Sequence, residues 1–136
     1  MTTIKTKYLG DLRTESEHLQ SGNKMITDAP TDNRGKGEAF SPTDLLATSL
    51  GSCIMTIMGI QARDNNIDIV GTELDITKIM SNDPRRVAEV IVEFNFPNKE
   101  YTPEEKEIIE AVAGTSPVPL SLHADLKQTI KLNWPN

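Results

Sequence analysis

Residues 39–60 read AFSPTDLLATSLGSCIMTIMGI, and this stretch constrains the fold more than any other part of the chain. Between Leu45 and Ala62, apolar side chains fall at Leu45, Leu46, Leu50, Ile54, Ile57, Met58 and Ile60. On a 3.6-residue repeat these positions lie on nearly every side, so the helix has to be covered all round rather than rest on a surface. Its start is well marked. Ser41 can cap, Pro42 suits the first helical position, where its missing N–H has no partner to lose, and Asp44 can answer the cap. The remaining chain must therefore wrap a central helix. With 136 residues it has the length of one domain and one core, residues 1–136. Hydrophobic residues make up 37% and mean hydropathy is -0.38, a thin core for such a helix unless a partner chain adds cover.

The rest of the sequence supplies the wrapping. Ile4, Thr6 and Tyr8 alternate onto one face, and turn signals at LGD and SGN lead to KMIT, a short antiparallel meander over the first 27 residues. Residues 28–40, DAPTDNRGKGEAF, have no period and read as an irregular loop. Between Gly71 and Pro97, Leu74, Ile76 and Met80, the turn NDPRR, then Val90, Val92, Phe94 and Phe96 predict an antiparallel hairpin. Thr102, Pro103 and Glu105 repeat the capping grammar ahead of Ile108, Ile109, Val112 and Ala113, a second helix ending near Gly114. TSPVPLSLHAD reads as irregular or one turn of helix, and Leu126, Gln128, Ile130, Leu132 and Trp134 alternate as a closing strand. The order β-β-β-α-β-β-α-β is an α+β fold of antiparallel sheet and helices.

Charge and composition narrow the function. With 14 basic against 20 acidic residues and a pI near 4.9, the chain lacks the positive footprint that a phosphate backbone requires, so nucleic acid is not expected. No apolar run approaches the roughly 18 residues of a membrane span, and the first residues do not read as a secretion signal; a cytoplasmic protein without a membrane partner is expected. The two histidines, His18 and His123, lie far apart, and one cysteine completes no zinc set, so neither metal nor cofactor is expected. Gly35-Lys36-Gly37 lacks the spacing of a phosphate-binding loop, and GTSPV lacks the second glycine and the context of a nucleophile elbow. That leaves Cys53, the only thiol. Gly51 and Ser52 strip bulk from the turn before it, which suits either tight helix packing or the approach of a narrow substrate to sulfur.

TDAPTDNRGKGEAFSPTDLLATSLGSCIMTIMGI, followed by a hairpin, a second helix and TSPVPLSLH, resembles the OsmC/Ohr family of thiol-dependent hydroperoxide reductases, and its OsmC-like branch more closely. The likeness covers nearly the whole chain, with SPTDLL and LGSC as its most specific parts. It implies an OsmC-like fold: antiparallel sheets around a long central helix plus a second helix, in an intertwined homodimer with two sites where the subunits meet. It further implies that Cys53 attacks a peroxide, that Arg13 at the N-terminal hairpin stabilises the thiolate, and that an acid near the start of the central helix orients the arginine. Thr43 and Asp44 stand where the family commonly has glutamate, so Asp44 is the local acid, with a capping role as its other reading. His123 is implied near the site through the turn after Ser116, a cap or surface role being its alternative.

The sequence departs from the family at Ser116-Pro117-Val118, where the family usually carries Cys-Pro-Val. A serine hydroxyl cannot condense with a sulfenic acid as a resolving thiol does. The reaction expected is thus of the one-cysteine type, on organic hydroperoxides or hydrogen peroxide, with an external thiol as reductant. The competing expectation is a non-catalytic OsmC-like dimer that binds a ligand or senses oxidation without turnover; a third is a dimer whose Cys53 is buried and inert.

Overall fold

The structure, a computed structural model, describes all residues, Met1–Asn136. They cluster as two compact units, Met1–Leu46 and Ala47–Asn136. In the first, strands β1 (Ile4–Gly10), β2 (Arg13–His18) and β3 (Lys24–Asp28) form an antiparallel meander. Gly10, Asp11 and Leu12 all take left-handed backbone angles at the β1–β2 turn, which shifts the register and sets Arg13 opposite Gly10 on one side and Asp28 on the other. β1 is exposed almost throughout, with Ile4 and Tyr8 uncovered.

The loop after β3 is folded back on itself. Asp28 N–H donates to the Phe40 carbonyl at 3.1 Å, tying its ends, and a 3₁₀ turn at Thr31–Asn33 fills it. Gly35 presses so closely on Ala29 that a Cβ there would overlap the Ala29 carbonyl, which makes glycine obligatory at that position.

Helix α1 runs Pro42–Asp64. Ser41 and Asp44 form the expected reciprocal cap: Asp44 N–H donates to Ser41 Oγ and Ser41 N–H to the Asp44 carboxylate, each at 3.0 Å. In the second unit β4 (Glu73–Ser81) and β5 (Arg86–Asn95) make the expected hairpin, with Ile76 opposite Val92 and Leu74 opposite Phe94. Helix α2 (Pro103–Glu110) starts at the Thr102–Glu105 capping box. The stretch after it holds one short helix, α3 (Pro117–Ser121). The closing strand β6 (Lys127–Asn133) is present, but it runs parallel to β5 where the sequence reading expected antiparallel pairing throughout. The long connection through α2 and α3 explains this, because it carries the chain back to the end of the sheet from which β5 started.

The core of this unit lies between β5 and one stripe of α1. Val90, Val92 and Phe94 are fully buried along β5, and Ala47, Leu50, Gly51, Ile54, Met58 and Ala62 are buried along α1. Within one chain the cover is one-sided: Ile60 is exposed, and Cys53, Met55 and Ile57 are only half-buried. α1 corrects the expectation that no stretch could span a bilayer. Its 23 residues and mean hydropathy of 1.5 over the best window suffice by length and composition. Counting uninterrupted apolar residues missed this, because Thr48, Ser49, Ser52 and Thr56 break the run without lowering the average enough. A third of that window is buried within the chain.

Gly51 is the closest point of that packing. A Cβ built there would meet Ile76 Cδ1 at 2.8 Å and Leu74 Cδ2 at 3.3 Å. Gly51→Ala should cost about 1 kcal/mol, as overpacking of about 2 kcal/mol exceeds about 1 kcal/mol of recovered helix propensity. Ile76→Val removes the obstructing methyl and alone also costs about 1 kcal/mol. Urea denaturation of the double variant should find it more stable than the sum of the two by about 1 kcal/mol, and simple additivity would contradict the contact.

Candidate functional site: the Cys53 thiol and the turn beside it

Cys53 lies three residues beyond Leu50 and one before Ile54, so its sulfur sits at the flank of the buried stripe, half-buried rather than sealed under the sheet. It has one hydrogen-bonding neighbour, the backbone N–H of Val118, which donates to Sγ at 3.5 Å from 65 positions further along the chain. The local sequence singles out that donor. Pro117 and Pro119 carry no N–H, so Val118 supplies the only one among residues 117–119. Gln128 Nε2 on β6 donates to the Pro119 carbonyl at 3.0 Å and ties the turn to the sheet.

Ser116, at the position expected to hold a resolving thiol, is the N-cap residue of α3 and is fully buried. Its side chain makes no capping bond, and its Oγ is the one buried side-chain polar atom without a partner. A serine cap normally accepts from the second or third helical N–H. Here the second, Val118, is turned to the sulfur, and the third, Pro119, has none.

His123 is engaged with Asp125. Its ring is exposed, and Nδ1 accepts from the Asp125 N–H at 3.0 Å, the capping role that was its alternative reading. Thr43 and Asp44 are both engaged at the start of α1, Thr43 Oγ1 lying 3.1 Å from Ser41 Oγ and Asp44 serving the reciprocal cap.

Arg13, in the unit of residues 1–46, is held by two carboxylates that sequence reasoning did not identify. Its Nε and Nη2 donate to Asp28 Oδ1 and Oδ2 at 2.7 and 2.8 Å, and Nη2 also donates to Glu38 Oε1 at 2.9 Å. Asp28 is 1% exposed and accepts a third bond from Glu38 N–H at 3.1 Å, whereas the Glu38 side chain is 65% exposed. The signal was there in the hairpin register, which puts Arg13 directly across from Asp28. The Arg13 hydrogen bonds hold the Asp28 carboxyl below the usual carboxylate range, against the opposing pull of its burial. The two carboxylates raise the Arg13 guanidinium above its ordinary value, so it stays charged. No cluster of three or more His, Cys, Asp or Glu side chains that could hold a metal ion is present.

The sign of the pH dependence follows. A carboxyl whose folded value is depressed adds stability above its unfolded value, about 3.9, and loses it as pH falls toward the folded value. Asp28→Asn should therefore lower the melting temperature by a constant amount between pH 5 and 8 and by progressively less below about pH 4. Glu38→Gln, at an exposed carboxylate, should lower it less. A gap between the parent chain and Asp28→Asn that widens in acid would refute the clasp as described.

Comparison with known proteins gives a consistent picture. The profile of the OsmC family, described as OsmC-like protein, matches residues 35–131. No curated protein matches by sequence. The crystal structure of a Psychrobacter arcticus protein assigned provisionally to osmotic stress induction and the detoxification response is 56% identical, with a TM-score of 0.93 over 98% of this chain and 96% of that one. An organic hydroperoxide resistance protein OsmC from Legionella pneumophila shares 15% identity, with a TM-score of 0.71 over 98% of each chain. An OsmC-like protein from Mycoplasma pneumoniae shares 20%, with a TM-score of 0.74 over 96% of this chain and 94% of that one. The last two are alike in fold.

Proposed function

The chain belongs to the OsmC-like family, and from that premise and the setting of Cys53 we propose that it is a thiol-dependent peroxidase of the one-cysteine type. The observation that carries the reading is a sole thiol at the flank of the central helix, half-exposed and facing a backbone donor. Several structures of this fold, at low identity, are named as organic hydroperoxide resistance proteins, which supports a peroxide as substrate. In the reaction the Cys53 thiolate attacks the terminal oxygen of ROOH. The S–O bond forms as the O–O bond breaks, sulfur loses two electrons, and the alkoxide leaves as ROH after taking a proton. An external thiol then displaces water from Cys53–SOH to give a mixed disulfide, and a second thiol releases Cys53.

A mid-helix thiolate is far from the positive end of its helix and needs a cation. We assign that role to Arg13, whose Nη1 lies outside the Asp28–Glu38 clasp. Two copies of the chain, in a cytoplasmic homodimer, complete the assembly. Uncovered apolar side chains support it: Ile4, Tyr8 and Phe40 in one unit and Ile60 and Val70 in the other.

One equivalent of cumene hydroperoxide should oxidise Cys53 in a stoichiometric burst, read by mass spectrometry, and dithiothreitol should convert the burst to multiple turnover. Cys53→Ser should consume no peroxide; consumption at the parent rate would end the assignment. A single burst that thiols do not reverse would instead favour a redox sensor. Arg13→Met should slow the burst by about 100-fold, the usual effect of deleting one charge-stabilising donor, and an unchanged burst would remove Arg13 from the chemistry.

A further inference from the structure

The unpartnered hydroxyl of Ser116 stands in the segment whose next N–H lies on the Cys53 sulfur. A fully buried Ser Oγ without a hydrogen bond is costly, and such a group asks for an explanation. Its usual capping partners are unavailable, since one is taken by the sulfur and the other is a proline nitrogen. Ser116 stands two residues before Val118, at the N-cap of the same short helix, so the buried hydroxyl belongs to the turn whose N–H touches Sγ. In the reduced chain the sulfur is a poor acceptor for a hydroxyl proton. Oxidation adds to that sulfur an oxygen with full acceptor capacity.

We propose that Ser116 is a sulfenate-holding residue: its Oγ–H donates to the oxygen that a peroxide leaves on Cys53, with Val118 N–H beside it. This rests on the peroxidase reading and deepens it. Ser116 then takes no part in breaking the O–O bond and forms no covalent bond to sulfur. It lowers the energy of Cys53–SO⁻ after the alcohol has left, so the oxidised enzyme waits for an external thiol rather than collapsing into further oxidation. The hydroxyl that has no partner before the reaction acquires one through it.

The test follows the lifetime of the sulfenate after one equivalent of cumene hydroperoxide in the absence of reductant, by dimedone trapping at increasing delays. The parent chain should keep its sulfenate about tenfold longer than Ser116→Ala, the factor one hydrogen bond of this kind makes. Ser116→Thr, which keeps the hydroxyl, should restore most of the lifetime. Ser116→Ala should melt no lower than the parent, because it deletes an unpaired buried group, so its shorter lifetime cannot be ascribed to a loosened fold. Ser116→Cys should yield an internal disulfide between position 116 and Cys53 under the same treatment. Equal lifetimes in the parent and Ser116→Ala would overturn the proposal while leaving the peroxidase reading intact, as would failure of Ser116→Cys to form that disulfide. Absence of any sulfenate in the parent chain would overturn both.

Discussion

Asp28 is a carboxylate 1% exposed, and a charge so placed persists only when its oxygens are fully engaged. Three donors engage it: Nε and Nη2 of Arg13 and the N–H of Glu38. Each donor fixes a different piece of the unit formed by residues 1–46. The two guanidinium bonds lock β2 against β3 in the register that sets Arg13 across from Asp28. The Glu38 N–H ties the loop to the carboxylate, and within that loop Gly35 lies against Ala29 with no room for a side chain of its own. The guanidinium thereby receives a fixed direction from a buried partner and a weaker tie from an exposed one, since Glu38 can leave into water at little cost. For the thiolate-stabilising role proposed for Arg13, this division would keep one anchor in place while the other yields.

The second unit solves a different problem, that of presenting a thiol from a helix apolar enough to be wholly buried. Gly51 lets α1 approach β4 so closely that Ile76 and Leu74 fill the space a side chain would take. The stripe through Leu50, Ile54 and Met58 then satisfies the sheet, and Cys53 is left at its margin, where solvent and the 116–121 turn meet. Had the glycine and the cysteine exchanged places, the sulfur would lie beneath the sheet.

How much of this could be read from the residues depends on the sequence distance over which each interaction acts. Both capping boxes, Ser41–Asp44 and Thr102–Glu105, were legible because donor and acceptor lie three residues apart. The hairpin of β4 and β5 was legible from alternation, but β6 ran the other way from expectation because a period of two reports which face a residue takes and nothing about strand direction. Arg13 is legible as a candidate cation, but its bond to Asp28 follows from the register of the neighbouring strand and its bond to Glu38 from the loop beyond, and register cannot be read until the turn is known. The contact of Val118 with Cys53 spans 65 positions, and no local pattern announces it.

Serine and cysteine differ by a single atom, but burial treats them differently. A thiol is a weak donor that sits in an apolar surrounding much as a small hydrocarbon does, whereas a hydroxyl left without a partner in the same place raises the energy of the fold. In the proposed peroxidase reaction Ser116 offers no covalent route for closing the cycle, and the chain carries its hydroxyl as an unsatisfied polar group. The two consequences bear on the same moment of the reaction. In that proposed reaction the oxidised sulfur would have to last until a reductant arrives by diffusion. The margin position of Cys53 matters to that proposal as much as its neighbours do, because a half-buried sulfur would have to meet first a peroxide and then a bulkier thiol.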